Sequence, residues 1–489
     1  MGIIMKILQL FLALSILVLI HEFGHFIAAR IFKIRVEKFY IFFNPNFSLL
    51  RFKKVHGKWR FAFFSKNVPD SYITHERIDP ITNKKEFSYE PIDLSTLPED
   101  DWRTDEEHTE FGIGWIPLGG FCKIAGMIDE SMDLGQMNKE PQPWEFRSKP
   151  AWQRLIVMIG GVVMNVVLAY FIYTGLLATE GEQYLPTSEV NKYGIYTDSL
   201  AKELGFKDGD KIISVDGNYI ENFYQIQMEM ILNNSKNIEV ERDNEKVVIE
   251  LSDDAISKLI QQKNPFISYR TPFIIGDFST ASLAKKAGMQ KGDKIIMIND
   301  IYTPYYQDFS DNIKQFAGEE IILGVIRDSD TLQFTIQLTD EAKIGVYAEP
   351  LLTLKTQDYT FWEAVPRGFN KTGKELSDYW KQLKLIFNPN TKAYESLGGF
   401  ITIGSIFPDQ FNWIQFWRLT ALLSIILAVM NILPIPALDG GHVLFLLYEI
   451  ITRRKPSDRF LEIAQSVGLI ILLILLVYAN GNDIIRLFR

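Results

Sequence analysis

Long apolar segments alternate with polar stretches along the 489 residues of the chain. Four apolar segments stand out: Ile3–Phe32, Leu155–Ala178, Phe416–Ile450 and Val467–Ala479. A helix of about 20 apolar residues crosses the hydrocarbon core of a bilayer, which is about 30 Å thick. The pattern therefore predicts a polytopic α-helical membrane protein with four transmembrane segments. The first segment lacks the basic start and the small-residue cleavage site of a signal peptide, so we expect it to be retained.

The polar stretch between the first two segments has a different period. From Phe39 to Lys123, aromatic and β-branched residues alternate with other residues and are interrupted by glycines, a pattern typical of strands. Residues 66–110 within this stretch carry thirteen acidic residues against five Lys or Arg. We interpret the region as a membrane-associated β element with an acidic insertion at 66–110.

A sequence repeat lies between the second and third apolar segments. SLAKELGFKDGDKIISVD begins at Ser199, SLAKKAGMQKGDKIIMIN begins at Ser282, and ten of the eighteen positions are identical. Repetition at this spacing indicates two copies of one small domain. The pattern resembles PDZ domains of the bacterial protease-associated type. We expect two PDZ-like α+β domains, which either bind an extended peptide at a sheet edge or act as spacers.

These patterns predict the domain boundaries. Apolar residues at helical spacing in Phe361–Phe387 indicate an amphipathic helix at the outer membrane surface or against the membrane segments. The predicted organisation is a transmembrane segment at 1–32, the β region at 33–154, a transmembrane segment at 155–178, PDZ-like domains at 183–271 and 272–350, the amphipathic helix and linker at 357–412, a broken transmembrane segment at 413–450 and a last one at 464–481.

Basic residues predict the orientation of the chain in the membrane. Nine Lys or Arg lie between Arg30 and Arg60 against one acid, and four more follow the third apolar segment at 453–459. Cytoplasmic loops carry an excess of Lys and Arg, so we expect both loops in the cytoplasm. The amino terminus and the PDZ-like domains would then lie outside the cytoplasm. The net charge of −9 averages basic loops with acidic regions, and no nucleic-acid partner is expected.

The first apolar segment contains an H-E-x-x-H motif, HEFGH at His21–His25. Residues four apart share one face of a helix, so His21 and His25 can present ring nitrogens to one ion. Zn²⁺ accepts imidazole and carboxylate ligands, and Glu22 is placed to take a proton from a water that the ion holds. Burying an acid in a membrane helix costs at least about 2.5 kcal/mol, which favours a metal site over a structural role.

A third ligand is expected from the third apolar segment, where MNILPIPALDGGH at Met430–His442 interrupts the apolar pattern. Such a broken helix is tolerated at membrane depth where it is buried in protein or lines a polar cavity. Asp439 is the only acid between Asp409 and Glu449, and a carboxylate there needs a positive partner such as a metal ion. His442 is the competing ligand, and we favour Asp439.

Together these motifs resemble the site-2 proteases of the bacterial RseP type, intramembrane zinc metalloproteases of regulated intramembrane proteolysis. The resemblance rests on HEFGH, on PLGGFCK at 117–123, on the repeated PDZ-like domains and on NILPIPALDGGH at 431–442. It covers nearly the whole chain in the same order, and it implies a location in the bacterial cytoplasmic (inner) membrane. The acidic stretch at 66–110 departs from the family pattern.

The resemblance implies a role for each matching residue. His21, His25 and Asp439 would bind Zn²⁺, and Glu22 would be catalytic. The Gly-rich strand at 112–124 would pair with an unwound substrate. The residues that would contact the substrate or lie close to it are Asn431, Pro434, Pro436, Gly119, Gly120 and Asn165.

The implied reaction is hydrolysis of a peptide bond inside a transmembrane helix. The implied substrates are single-pass membrane proteins with the amino end inside, such as anti-sigma factors or remnant signal peptides, after a first extracytoplasmic cut. Two alternatives are another kind of membrane-bound zinc peptidase and a non-enzymatic membrane scaffold built on the PDZ-like pair. A transporter would explain the broken helix but not the H-E-x-x-H motif.

Overall fold

The computed structural model describes residues 2–67, 72–78, 85–105, 107–127, 140–252, 254–262 and 264–488. The chain forms two units. The first consists of Met1–Glu180, Tyr359–Trp380 and Leu397–Arg489, and the second consists of Gly181–Asp358 and Lys381–Ser396. The acidic insertion expected at 66–110 lies partly outside the described residues.

The first unit begins with helix α1 (Gly2–Ile31), and seven strands separate it from helix α2 (Ala151–Glu180). The strands are β1 (Val36–Phe43), β2 (Phe47–Val55), β3 (Lys58–Lys66), β4 (Tyr72–Ile78), β5 (Lys85–Pro91), β6 (Glu110–Ile113) and β7 (Ile116–Ile124). Five of them form a sheet in the order β3-β2-β6-β1-β7, and β4 and β5 form a separate pair. The strands expected in this region are therefore confirmed.

Strand β7 lies at one edge of the five-stranded sheet. It pairs with β1 in antiparallel register, with Tyr40 opposite Phe121 and Ile41 opposite Gly120. The rings of Tyr40 and Phe121 stack with their centroids 5.2 Å apart. β7 also packs against α1, and no strand among the described residues pairs with its other side. The sheet thus presents an edge strand beside the helix that carries HEFGH.

The second unit contains both copies of the sequence repeat. Its helices are α3 (Thr187–Val190), α4 (Ser199–Glu203), α5 (Ile226–Asn233), α6 (Ala255–Gln261), α7 (Leu283–Lys286) and α8 (Tyr306–Asn312). Its strands are β8 (Glu182–Tyr184), β9 (Ile195–Thr197), β10 (Lys211–Val215), β11 (Asn237–Arg242), β12 (Glu245–Glu250), β13 (Ile267–Tyr269), β14 (Phe273–Phe278), β15 (Lys294–Ile298), β16 (Ile301–Tyr302), β17 (Glu320–Arg327), β18 (Asp330–Gln337), β19 (Val346–Ala348) and β20 (Lys355–Gln357).

The two repeat copies share one local structure. In each copy a short helix, α4 or α7, leads through a Gly-Asp turn into a strand, β10 or β15. The turn aspartates, Asp210 and Asp293, are each 1% exposed and accept two hydrogen bonds from Arg242 and Arg327 respectively. The repeated Gly-Asp pair is therefore explained by an ion pair in each copy, between a buried aspartate and a partly exposed arginine. That these copies are PDZ-like domains stays a prediction.

The chain then returns to helices. They are α9 (Phe361–Ile386), α10 (Phe400–Ser405), α11 (Trp413–Ile432), α12 (Asp439–Thr452) and α13 (Asp458–Leu487). The helix expected at 361–387 is α9, and it leaves Trp362 and Phe369 exposed on its surface. The structure ends this helix one residue earlier than the sequence pattern does.

Four helices among the described residues are long and apolar enough to cross a membrane, as the sequence predicted: α1, α2, α11 and α13. Both α2 and α13 are longer than the apolar segments expected at 155–178 and 464–481, because polar residues continue the helical hydrogen bonding at their ends. The third segment is interrupted between α11 and α12, where Ala437 adopts a left-handed backbone conformation with φ of 85°. The break predicted from the prolines and glycines is present.

Candidate active site

Helices α1 and α2 cross in direct backbone contact where Gly24 faces Gly160 and Gly161. A Cβ atom on Gly24 of α1 would collide with the carbonyl oxygen of Gly160 on α2. A Cβ atom on Gly161 would lie 2.5 Å from Nε2 of His25 and 2.6 Å from Cε1 of His21. Glycine at these positions lets the imidazole rings lie directly on the backbone of α2, which fixes where the two histidines can point.

Three potential metal ligands converge at this crossing. His21 and His25 are each 7% exposed, and their Nε2 atoms are 3.2 Å apart. Oδ2 of Asp439, in the first turn of α12, lies 3.0 Å from Nε2 of His21 and 3.3 Å from Nε2 of His25. The structure therefore brings together two side chains from α1 and one from a helix more than four hundred residues further along the chain.

The spacing of these atoms fits a tetrahedral ion. Ligand atoms about 2.0 to 2.1 Å from a tetrahedral Zn²⁺ are separated from one another by about 3.3 Å. The three separations are 3.0, 3.2 and 3.3 Å. Oδ2 of Asp439 is buried and accepts no hydrogen bond of good geometry from the described residues, although two ring nitrogens face it. Two imidazole nitrogens and a carboxylate oxygen directed at one point are ligand atoms that suit a Zn²⁺ ion.

Each histidine has a second partner behind the site. Nδ1 of His25 is 2.9 Å from the carbonyl oxygen of Val157 on α2. Nδ1 of His21 is 3.1 Å from the side-chain amide of Asn165, also on α2. The side-chain amide of Asn431, near the end of α11, lies 3.2 Å from Nε2 of His21 on the side of the ligand cluster. Both rings therefore direct Nε2 at the cluster and Nδ1 at α2.

A cavity of about 480 Å³ opens in front of the ligand cluster. Glu22 is half-buried and lines this cavity together with both histidines and Asp439. The other lining residues are Phe43, Asn44, Gly120, Phe121, Cys122, Ile124, Met127, Met158, Asn431, Ala437, Leu438, His442 and Gln465. The cavity thus joins a carboxylate and a potential metal site to walls that are mostly apolar.

Strand β7 forms one wall of the cavity. Gly120, Phe121, Cys122 and Ile124 all line it. The strand is supported from behind by β1, where the hydroxyl of Tyr40 donates to Oε1 of Glu110 at 2.5 Å. Burial, together with this carboxylate, raises the pKa of Tyr40 well above its usual range, so the hydroxyl remains a donor. An edge strand with this support can accept a second strand.

The structure brings only some of the expected residues to the cavity. Asn431 and Gly120 line it, together with His21, His25, Glu22 and Asp439. The other four residues expected near a substrate are not among its lining residues: Gly119, Pro434, Pro436 and Asn165. Pro434 and Pro436 instead belong to the turn between α11 and α12 that places Asp439.

His442, the competing ligand in the sequence analysis, lines the cavity but does not belong to the group of ligand atoms formed by His21, His25 and Asp439. Sequence reasoning missed several other lining residues. Gln465 reaches the cavity from α13 and is 8% exposed. The sequence did not single it out, because α13 carries other polar residues toward both of its ends. Phe43 and Asn44 gave no signal, because their position depends on how the sheet packs against α1.

Two imidazoles and a carboxylate around one point, with a glutamate beside them, can hold an ion and move a proton. This set lies in apolar helices and faces an edge strand, an arrangement that fits a metallopeptidase site in a membrane protein. The sequence pattern of peptidase family M50 matches residues 9–66 and 99–475. The chain belongs to peptidase family M50.

Individual relatives resemble the chain over its whole length. It is 27% identical to the "Regulator of sigma E protease" of Haemophilus influenzae, over 97% of this chain and 98% of that protein. It is 25% identical to the "Protease RseP" of Yersinia pestis over the full length of both. It is also 25% identical, over 98% of this chain and 99% of its relative, to a protein of Neisseria meningitidis named as a candidate zinc metalloprotease.

Proposed function

We propose that this chain is an intramembrane zinc endopeptidase that cleaves transmembrane segments of single-pass membrane proteins. The observation that carries the proposal is the ligand cluster, whose three atoms are 3.0 to 3.3 Å apart, two of them on the membrane helix α1 and one at the start of α12. Family M50 supports the peptidase chemistry, and the zinc metalloprotease named among the relatives supports the choice of metal.

The proposed ligands are His21, His25 and Asp439, which leave one position open toward the cavity. Zinc, when bound, would polarise the substrate carbonyl and lower the pKa of an attacking water. The chain's own contribution is a rigid ligand set. Both rings are held from behind by α2, and Asp439 is held by the first turn of α12.

Glu22 is the proposed general base. It lies next to His21 in α1 and lines the cavity, so its carboxylate can accept a proton from water as the water oxygen attacks the carbonyl carbon. The C–N bond then breaks, and the same carboxylate returns the proton to the leaving nitrogen. Water supplies all the atoms that are added, so no further reactant is needed.

The proposed substrate binds as an extended strand. A helix keeps its backbone groups in internal hydrogen bonds, and unwinding it inside a membrane leaves those groups without partners. Strand β7 offers an edge along the cavity wall, where backbone pairing would satisfy them. The amide of Asn431, close to the ligand cluster, would hold a substrate carbonyl near the reacting atoms.

The proposed substrates have the amino end in the cytoplasm and have already lost their outer domain. Anti-sigma factors and remnant signal peptides are of this kind, and a relative is named as a regulator of sigma E. The proposed location is the bacterial cytoplasmic (inner) membrane, with the amino terminus and the repeat copies outside the cytoplasm. The basic loops at 33–60 and 453–459 support this orientation.

Replacing Glu22 by Gln tests the mechanism. We expect Glu22→Gln to abolish cleavage of a co-expressed single-pass reporter, while the purified protein still contains about one zinc per chain, because Glu22 is not among the proposed ligands. Glu180→Gln, at the far end of α2, is the matched control and should cleave normally. Cleavage at the wild-type rate by Glu22→Gln would exclude Glu22 as the base.

The same assay separates the alternatives. A peptidase that acts on soluble protein ends would cleave a soluble peptide faster than a transmembrane reporter. A scaffold built on the repeat copies would keep its cellular function in Glu22→Gln. We expect neither result, because the cavity is built from membrane helices and an edge strand.

A further inference from the structure

Asn165 is buried where no substrate can reach it. The residue is 0% exposed and lies on α2, and it is not among the residues that line the catalytic cavity. Its side-chain amide lies 3.1 Å from Nδ1 of His21. Its Oδ1 atom is buried and has no hydrogen-bond partner within the described part of the chain. A polar side chain in this position needs a reason other than substrate binding.

The two ring nitrogens of His21 supply that reason. Nε2 faces the ligand cluster, 3.0 Å from Oδ2 of Asp439. A ring nitrogen that gives its lone pair to a metal carries no proton, so the proton of the neutral ring is on Nδ1. Nδ1 then donates, and its neighbour must accept. The two ends of an amide have nearly the same shape, so a half-turn of the Asn165 side chain places Oδ1 about 3.1 Å from Nδ1.

His25 meets the same requirement in a different way. Its Nδ1 is 2.9 Å from the carbonyl oxygen of Val157, which can only accept. Helix α2 thus provides an acceptor behind each histidine: a backbone carbonyl for His25 and a side chain for His21. Only the side-chain acceptor behind His21 can be removed by a substitution.

Asn165 is itself held in place. The hydroxyl of Ser424 on α11 donates to the backbone carbonyl oxygen of Asn165 at 2.8 Å, so two membrane helices are joined at this residue. The close crossing of α1 over Gly160 and Gly161 sets the distance between α2 and the rings. These contacts fix the backbone of α2 from which the Asn165 side chain extends toward the ring of His21.

We propose that Asn165 is a positioning residue that fixes His21 in the tautomer that binds the metal. The proposal replaces the substrate-contact role expected from the sequence, and it rests on the proposed metal site. Partners behind metal-binding histidines typically contribute about 10- to 100-fold to metal affinity. The effect on catalysis would pass through the metal and not through substrate binding.

Two substitutions test this in the full-length protein. Asn165→Leu keeps the approximate size of the side chain and removes the acceptor. In Asn165→Asp both terminal atoms are oxygens, so an acceptor faces Nδ1 of His21 in either orientation of the side chain. Zinc affinity is measured by competition with a chromogenic chelator, and the absorption spectrum of the Co²⁺-loaded protein reports the ligand geometry. Thr420→Val on α11 is the matched control, since Thr420 is also 0% exposed and its hydroxyl donates to the carbonyl oxygen of Phe416 in its own helix.

We expect zinc affinity to fall about 10- to 100-fold in Asn165→Leu, with an altered Co²⁺ spectrum. Asn165→Asp should bind zinc no more than about threefold more weakly than the parent, because a carboxylate is also an acceptor. Parent affinity in Asn165→Leu would overturn the proposal. A fall in zinc affinity greater than about tenfold in Asn165→Asp would also overturn the proposal. This second variant keeps the proposal testable even if the Leu variant does not fold. A parent protein that binds no zinc would instead overturn the proposed metal site.

Discussion

At the scale of single residues, the site separates groups that can hold an ion from groups that only surround it. His21, His25 and Asp439 point at one another, whereas His442 lies three residues beyond Asp439 and forms part of the cavity wall. Spacing along the chain could not make this distinction. Residues three apart in a helix lie on similar faces, so both Asp439 and His442 were reasonable ligands before their surroundings were known.

The choice between these two residues gives a prediction. Zinc content should fall at least about tenfold in Asp439→Asn, because an amide replaces the only carboxylate of the ligand set. It should be unchanged in His442→Ala. Metal analysis of the purified proteins, with the fold checked by resistance to protease, makes the comparison. If His442→Ala lost its zinc and Asp439→Asn kept it, the ligand assignment would be reversed.

At the scale of elements, α2 does more than cross the membrane. It carries none of the proposed metal ligands, yet its backbone supports one histidine and its side chain Asn165 supports the other. The sequence showed α2 only as an apolar segment. Its role depends on how closely α1 approaches it, and that distance is set by glycines whose contacts appear only when the helices are packed.

Gly161 is therefore expected to be essential for metal binding. A methyl group there would lie 2.5 to 2.6 Å from the rings of His25 and His21, so Gly161→Ala should displace both histidines. We expect zinc content and cleavage to fall at least about tenfold, the size of effect seen when ligand orientation is disturbed.

Gly175 on the same helix provides the control. A Cβ atom at Gly175 would meet nothing within 4 Å, so Gly175→Ala should retain both zinc and activity. Equal zinc content in the two alanine variants would contradict the role given to the close crossing of α1 and α2.

At the scale of the whole molecule, the two units are stabilised by different interactions. The first leaves many apolar side chains exposed along α1 and α13, as expected for helices that face lipid. The second has two apolar cores, one for each repeat copy, together with the ion pairs Asp210–Arg242 and Asp293–Arg327. The Asp293–Arg327 pair makes the stability of the second unit depend on pH.

The pKa of Asp293 determines whether the stability rises or falls with pH. Burial by itself would raise the pKa of Asp293, but hydrogen bonds from Arg327 and from the backbone of Gln290 outweigh it and lower the pKa. A lowered pKa in the folded state stabilises the fold above the unfolded value of about 3.9. That contribution is lost as the pH falls below this value.

We therefore expect Asp293→Asn to lower the unfolding temperature of the second unit by a few degrees at pH 7, and the difference should shrink below about pH 4. Thermal unfolding followed by calorimetry across this pH range measures both effects. Asp340→Asn, at an exposed aspartate, is the control and should match the parent at every pH. A difference that stayed constant with pH would rule out the ion pair as its cause.

The sequence by itself determined the features that depend on residues close together in the chain. The four apolar helices and the HEFGH face depend on spacings of a few residues, because helical period is local, and the repeat is visible by direct comparison of two segments of the sequence. The broken segment was visible for the same reason, since its prolines and glycines are consecutive signals.

Only the tertiary structure decided which distant residues meet. Asp439 reaches two histidines more than four hundred residues away, and β7 becomes a cavity wall because its sheet packs against α1. Asn165 is expected near the substrate from its motif, yet its amide lies 3.1 Å from Nδ1 of His21, behind the proposed metal site. Such contacts depend on how closely two helices cross and on which face each turns toward the other. Neither the distance nor the face can be read from the period of a single segment.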